Sequence, residues 1–250
     1  MSTPASPVAT VILPALAAPV DQLWHCLLDL AAVPHWTLVG GQMVLLHALE
    51  HGSSQSVVSQ DGDVLADIRV DQGAIRAVVT ALEVAGFRVD GYGPDGLAHR
   101  YAKPSTPRPV VVDVLAPDGL GANADLTTTK PGRTLQVPGG TQALRRTEFV
   151  EIVHEGRRGV VPRPSLLAAL VGEGAACGLP GDNARHLRDL ALLCSLVEDP
   201  FALRQQADRK DRDRIRIGGV LRDDAHQAWL LLPQQQRRAG QATFAILSRD

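Results

Sequence analysis

The sequence predicts an α+β fold, with an α/β half over residues 20–160 and a helical half over 161–250. Three observations carry that reading. Short β-prone runs alternate with helical apolar patterns as far as His154. One of them, Pro109 to Leu115, is rich in β-branched residues and broken only by Asp113, as a buried strand reads. Beyond Pro162 and Pro164 the strand signals stop and the apolar pattern turns helical.

Taken in order, residues 1–19 are rich in Ala, Pro and Val without a basic start, which predicts a flexible tail and no signal peptide. Asp21 to Ala32 has helical spacing, with Asp21 at the end where a carboxylate favours the helix dipole. Trp36 to Val39 is a short strand, Gly40–Gly41 a turn, and Gln42 to Leu49 an apolar helix ended near Gly52. Asp61 to Val70 reads as a strand, and Ala74 to Ala85 as a helix between Gly73 and Gly86. Phe87 to Val89 and His99 to Ala102 are short strands around a Gly91–Gly96 turn. Leu120 to Lys130 reads as a loop, and Leu135 to Val137 as a short strand. A turn at Pro138-Gly139-Gly140 then leads into a helical Thr141 to Arg146, and Glu148 to His154 is again β-like. The helical half reads as Ser165–Cys177, Asn183–Val197, Pro200–Arg222, and Ala225 to Leu247 with a break at Pro233.

Composition narrows the function classes. A chain of 250 residues, 45% hydrophobic and with a formal charge of −2, can bury real cores and does not coat nucleic acid through bulk positive charge. The three cysteines, Cys26, Cys177 and Cys194, include no CxxC pair and read as small buried hydrophobes. No apolar run reaches the length of a membrane span, so the expectation is a cytoplasmic protein with no membrane partner. Arg204, Arg209, Lys210, Arg212, Arg214 and Arg216 alternate with Asp208, Asp211 and Asp213, which reads as a solvated helix face.

The chemistry-bearing signal is acidic. Residues two apart in a strand share a face, so Asp61 and Asp63 present two carboxylates side by side, about 6–7 Å apart along the strand. Val64, Ala66 and Ile68 point to the other face. Adjacent like charges are tolerable in solvent or around a divalent cation. Asp113, isolated in its apolar strand, is the candidate third carboxylate, because a buried aspartate needs a partner or a metal. Gly40–Gly41 precedes a helix, where backbone N–H groups and the positive dipole end can receive a phosphate. The plain alternative is a tight strand-to-helix turn. Gly139–Gly140 reads as such a turn, and His47 as a packed histidine or a nucleotide contact.

The order Leu38-Val39-Gly40-Gly41, an apolar helix with His47, Ser59-x-Asp61-x-Asp63 and Val112-Asp113-Val114 resembles the DNA polymerase β-type nucleotidyltransferase superfamily. Within it, the chain resembles most the AbiEii/MenT-like bacterial toxin nucleotidyltransferases. Pro138-Gly139-Gly140-x-Gln142-Ala143-Leu144, Pro162-x-Pro164 and Arg185-His186-x-x-Asp189-Leu190 extend the likeness to residues 36–196. The resemblance implies a nucleotidyltransferase-like mixed sheet flanked by helices and a C-terminal helical bundle. It implies that two Mg²⁺ ions, held by Asp61 and Asp63 with Asp113 completing the site or activating the acceptor hydroxyl, serve transfer of a nucleoside monophosphate from an NTP to an acceptor hydroxyl. Gly40, Gly41 and Ser59 fall at nucleotide-binding positions. Arg185 reads either as half of an i,i+4 pair with Asp189 on one helix face or as part of a basic wall, with His186 and Arg188, closing over the nucleotide. The acceptor would be tRNA, a protein or a small molecule, and an antitoxin would be a partner in a toxin–antitoxin or phage-defence system.

The sequence departs from the family pattern twice. The expected arginine ahead of the paired aspartates falls near Val57, and the lysine expected in the first helix of the C-terminal half falls at Glu173 or Gly174. Losing a cation that neutralises phosphate charge costs transition-state stabilisation. Arg163, Arg185 and Arg188 are the candidate replacements. The alternative reading is a catalytically weakened nucleotidyltransferase-fold protein that binds a nucleotide or a partner protein.

Overall fold

The structure, a computed structural model, describes residues 8–53 and 59–249. It has a mixed α+β architecture. Strands β1 (Ala9–Ile12), β2 (Trp36–Val39) and β3 (Asp61–Ala66) are interleaved with helices α1 (Val20–Leu30) and α2 (Gly40–Glu50). Helix α3 (Ala74–Val84) leads to β4 (Arg88–Val89), β5 (Arg100–Lys103), β6 (Val110–Pro117) and β7 (Gln136–Val137). Helix α4 (Gly140–Arg145) is followed by the hairpin β8 (Thr147–His154) and β9 (Arg157–Pro164). From there the described elements are helical: α5 (Leu166–Ala176), α6 (Ala184–Ser195), α7 (Pro200–Gln206), α8 (Arg209–Arg216), α9 (Gln227–Leu230) and α10 (Gln234–Leu247), with a 3₁₀ turn at Gly219–Arg222.

The main sheet runs β2-β3-β6-β5-β4, with β7 pairing β6. β3 and β6 are parallel, whereas β2 and β5 run antiparallel to their neighbours. Val64, Ala66, Val112 and Val114 are fully buried and belong to the principal core. Gly62 shares their face, and a side chain there would press on Leu23 of α1 at 2.9 Å, so α1 lies close on this face. On the opposite face Leu65 and Leu115 pack with Ala143 of α4. That second face, nearer the strand starts, carries Asp61, Asp63 and Asp113.

Four elements differ from the sequence reading. Residues 9–12, expected within a flexible tail, form β1, because β8 offers them a parallel edge from Val150 to Val153. Residues 157–164 form β9 although Pro162 and Pro164 lie within it. β9 has β8 as its only paired neighbour among the described strands, and proline, which has no N–H to donate, is tolerated at such an edge. The strand from Asp61 ends at Ala66 instead of reaching Val70. The helix expected over Pro200–Arg222 breaks at Ala207–Asp208. There Asp208 accepts from the Asp211 N–H and Asp211 accepts from the Asp208 N–H, a reciprocal cap that starts α8 afresh.

A single apolar cluster takes in residues from α1 through α10, including Trp24, Leu38, Leu170, Leu193, Trp229 and Phe244. All three cysteines are buried and unpaired, as their apolar settings predict. Burial pushes the Cys26 thiol up to about 12. Among the described residues, no helix is long and apolar enough to cross a membrane.

Candidate active site

Pairing register builds the site. Val39 lies opposite Asp63, Asp63 opposite Asp113, and Asp113 opposite Arg100. Directly paired residues share a face, so these four make one rung across β2, β3, β6 and β5. Asp61 sits two residues along β3 on the same face.

The rung is electrostatically uneven. Arg100 grips Asp113 with two charge-assisted bonds, Nε to Oδ1 at 2.9 Å and Nη2 to Oδ2 at 2.8 Å. The same Nη2 stands 3.7 Å from Asp61 Oδ2. Asp63 has no such clamp. Burial, then the neighbouring Asp113 charge, push its carboxyl up to about 7, against the pull of Arg185 and with smaller pushes from Asp61 and Glu173. This carboxylate is short of positive charge.

Gly40 faces it. Its φ is +63°, a left-handed conformation suited to glycine, and any side chain there would run into the Asp63 carboxylate. Gly41 is closed in by Ser59 and by the Arg185 guanidinium, 2.7 Å from where a Cβ would stand. The first turn of α2 has no side-chain cap, so its N–H groups are not satisfied from that source. Ser59 is fixed by Gln42, whose amide donates to the Ser59 carbonyl at 2.6 Å while its own oxygen accepts from Trp24 Nε1 at 3.0 Å. Arg185 reaches across from α6 and donates to Ser59 Oγ at 3.0 Å. It lies 3.9 Å from Asp63 Oδ2 and 3.8 Å from Asp189 on its own helix.

These groups open onto a cleft of about 320 Å³ between the sheet face and the helical half. Asp63, Asp113, Gly40 and Arg185 line it, as do Gly139 and Gly140, whereas Gly41, Ser59 and Asp61 are not among its lining residues. Gly139 has φ +83°, and a Cβ on Gly140 would meet the Pro117 backbone at 2.9 Å. The second glycine pair is therefore the tight turn its sequence predicts, and it also forms a wall of the cleft.

Of the sequence-named residues, the structure gathers Gly40, Gly41, Ser59, Asp61, Asp63, Asp113 and Arg185 into one region. Val57, where the family arginine would fall, lies outside the described residues. Arg163 is not a cleft cation. It is buried between Glu50 and Glu148, away from the rung. His47 is a packed histidine whose Nε2 faces the Pro164 carbonyl at 3.0 Å. Glu173, standing where a lysine was expected, is buried in the cleft wall. It accepts from His186 Nδ1 at 2.9 Å, and this bond raises the histidine's pKa. Sequence reasoning missed the parts played by Arg100, Glu173 and His186. Arg100 lay in a recognised strand, but its partner across the sheet is set by register.

The donor set suits a hard cation, because all three side chains offer carboxylate oxygens and Asp63 has only the long 3.9 Å pair with Arg185 to offset its charge. The three aspartates do not bring one oxygen each within 4.8 Å of the others; among the described residues only two other side-chain groups do so. Arg100 holds two of the three. Compared with protein-family models and with curated proteins, the chain matches none.

Proposed function

We propose that the chain is a Mg²⁺-dependent nucleotidyltransferase that moves a nucleoside monophosphate from an NTP to an acceptor hydroxyl. The observation that carries the reading is the rung itself. Charge-starved Asp63, flanked by Asp61 and Asp113, faces a left-handed glycine at the uncapped start of a helix. The order of the motifs, which resembles the polymerase β-type superfamily and the AbiEii/MenT-like toxins within it, supports the same conclusion.

Asp61, Asp63 and Asp113 would hold the ions, which when bound supply charge neutralisation for the triphosphate and the departing pyrophosphate. The chain's own groups do the rest. The Gly40–Gly41 backbone and the start of α2 receive phosphate oxygens, and Arg185 adds a fixed guanidinium beside them. Asp113, oriented by Arg100, takes the proton of the acceptor hydroxyl. The acceptor oxygen then bonds to the α-phosphorus as the bond to pyrophosphate breaks. The apolar remainder of the cleft, from Leu65 and Leu115 to Ala168 and Ala169, excludes water from the transfer.

Incubation with labelled NTPs, Mg²⁺ and total RNA or protein tests the proposal. Label moves to RNA, protein or a small hydroxyl compound, and Asp61→Ala/Asp63→Ala lowers the transfer by at least about 100-fold. Absence of both transfer and NTP binding sinks it. A second reading is favoured by Glu173 at the expected lysine and by the Arg100 clamp on Asp113, namely a protein that binds nucleotide without turnover. Retained NTP binding with no label transfer selects that reading. An antitoxin partner and a toxin role rest on the resemblance alone, and co-purification with the product of a neighbouring gene tests them.

A further inference from the structure

Asp21 and His25 sit one turn apart on α1, while His154 ends β8 and Glu155 follows it in the turn to β9, more than a hundred residues away in sequence. One ligand atom from each lies within 4.8 Å of the other three. His154 Nε2 is 2.8 Å from Asp21 Oδ1, His25 Nε2 is 3.9 Å from the same oxygen, and His25 Nε2 is 3.4 Å from Glu155 Oε2. Bonds of about 2.0–2.1 Å to tetrahedral zinc put neighbouring ligand atoms roughly 3.3 Å apart. The three separations bracket that edge length.

Two imidazoles and two carboxylates are borderline-soft and hard donors together, a mixture suited to zinc and poorly matched to magnesium. The His25 and His154 ring centroids are 5.1 Å apart and tilted by 50°, so the rings converge without stacking. His154 is buried at 1% exposure while Glu155 is 63% exposed, which anchors the cluster on one side and leaves an entry path on the other. None of the four lines the cleft of the candidate active site. The other group of comparable spacing, His47, Glu50 and Glu148, already has a cation seated in it, because the Arg163 guanidinium pairs with both glutamates.

We propose that Asp21, His25, His154 and Glu155 form a structural zinc site that ties the β8–β9 hairpin to the N-terminal half of α1. Four protein ligands leave no open position, which is the pattern of structural zinc. Two contacts must adjust. The hydrogen bond between His154 Nε2 and Asp21 gives way, because zinc takes the place of the proton on that nitrogen. Arg157 Nη1 donates toward His25 Nδ1 at 3.2 Å, whereas zinc on Nε2 requires Nδ1 to carry the ring proton. Arg157 keeps its contact with Asp29 when it leaves that nitrogen.

The test is Zn²⁺ and Co²⁺ titration of the full chain after chelation, read by calorimetry, by the visible spectrum of the cobalt form and by the melting temperature. The expected result is one ion per chain with an intense tetrahedral cobalt spectrum and a melting temperature raised by several degrees. His25→Ala and Glu155→Gln, both at partly exposed positions, weaken affinity by at least about 10-fold to 100-fold, and Arg157→Gln strengthens it. Asp61→Ala/Asp63→Ala leaves the cobalt spectrum unchanged, which separates this ion from the Mg²⁺ of the cleft. Binding only at millimolar Zn²⁺, or binding indifferent to His25→Ala and Glu155→Gln, overturns the proposal.

Discussion

Gly40 carries two constraints on one Cα. Its φ of +63° disfavours other residues, and its missing side chain leaves room for the Asp63 carboxylate. Gly40→Ala therefore costs about 1–3 kcal/mol in chemical denaturation and displaces Asp63, with any activity falling along with it. A variant as stable as the parent contradicts this. His186 gives the pH signature of the cleft. The bond to Glu173 raises its pKa above the free value of 6.5, against burial and the Arg185 charge. A pKa raised on folding means that the stabilisation is full below about pH 6.5 and is lost as pH rises through the folded value. The melting-temperature advantage of the parent over His186→Gln thus shrinks between pH 6 and pH 9, and an advantage that grows over that range refutes the pairing. At this scale the sequence was informative for groups defined by local spacing, such as Asp61, Asp63 and Gly40. It was silent on Arg100, whose meaning arises only when β5 pairs with β6 in one register.

The helices and strands show the same division between local and distant causes. Asp113 stood out because its whole strand is apolar, and β6 is buried along its length. β1 escaped notice because its partner strand lies about 140 residues on, and four residues of alternating character carry little signal without that edge. β9 escaped because two prolines inside it read as a boundary. The α7–α8 break was present in the sequence as Asp208 and Asp211 three apart, an acidic version of a capping pair, and the alternating charges masked it. Contact between α5 and α8 depends on Gly174, where a Cβ would stand 2.7 Å from Ile215 Cα and 2.8 Å from the Arg214 carbonyl. Both neighbours are backbone, so neither can rotate away. Gly174→Ala pushes α8 off α5 and costs about 1–3 kcal/mol despite alanine's better helix propensity, measurable as a lower urea midpoint. Gly172→Ala, with open space at its Cβ, is the control and stabilises or leaves the midpoint unchanged.

In the molecule as a whole, one apolar cluster joins the sheet to the C-terminal helices, and the cleft lies between them. Acidic groups on the sheet face meet Arg185 and His186 from α6 there, so the sheet and the helices both contribute to the candidate site. Three aspartates and Glu173 outnumber the nearby cations, and a triphosphate entering alone meets net repulsion. Under the proposed function, metal and nucleotide bind together, each strengthening the other. The direct measurement is calorimetric titration of each ribonucleoside triphosphate with and without Mg²⁺, on the parent and on Asp61→Ala/Asp63→Ala. The account predicts that at least one NTP binds the parent with Mg²⁺, binds at least about tenfold more weakly without it, and loses that metal dependence in the double variant. Equal NTP affinity with and without Mg²⁺, or no binding of any NTP, contradicts it.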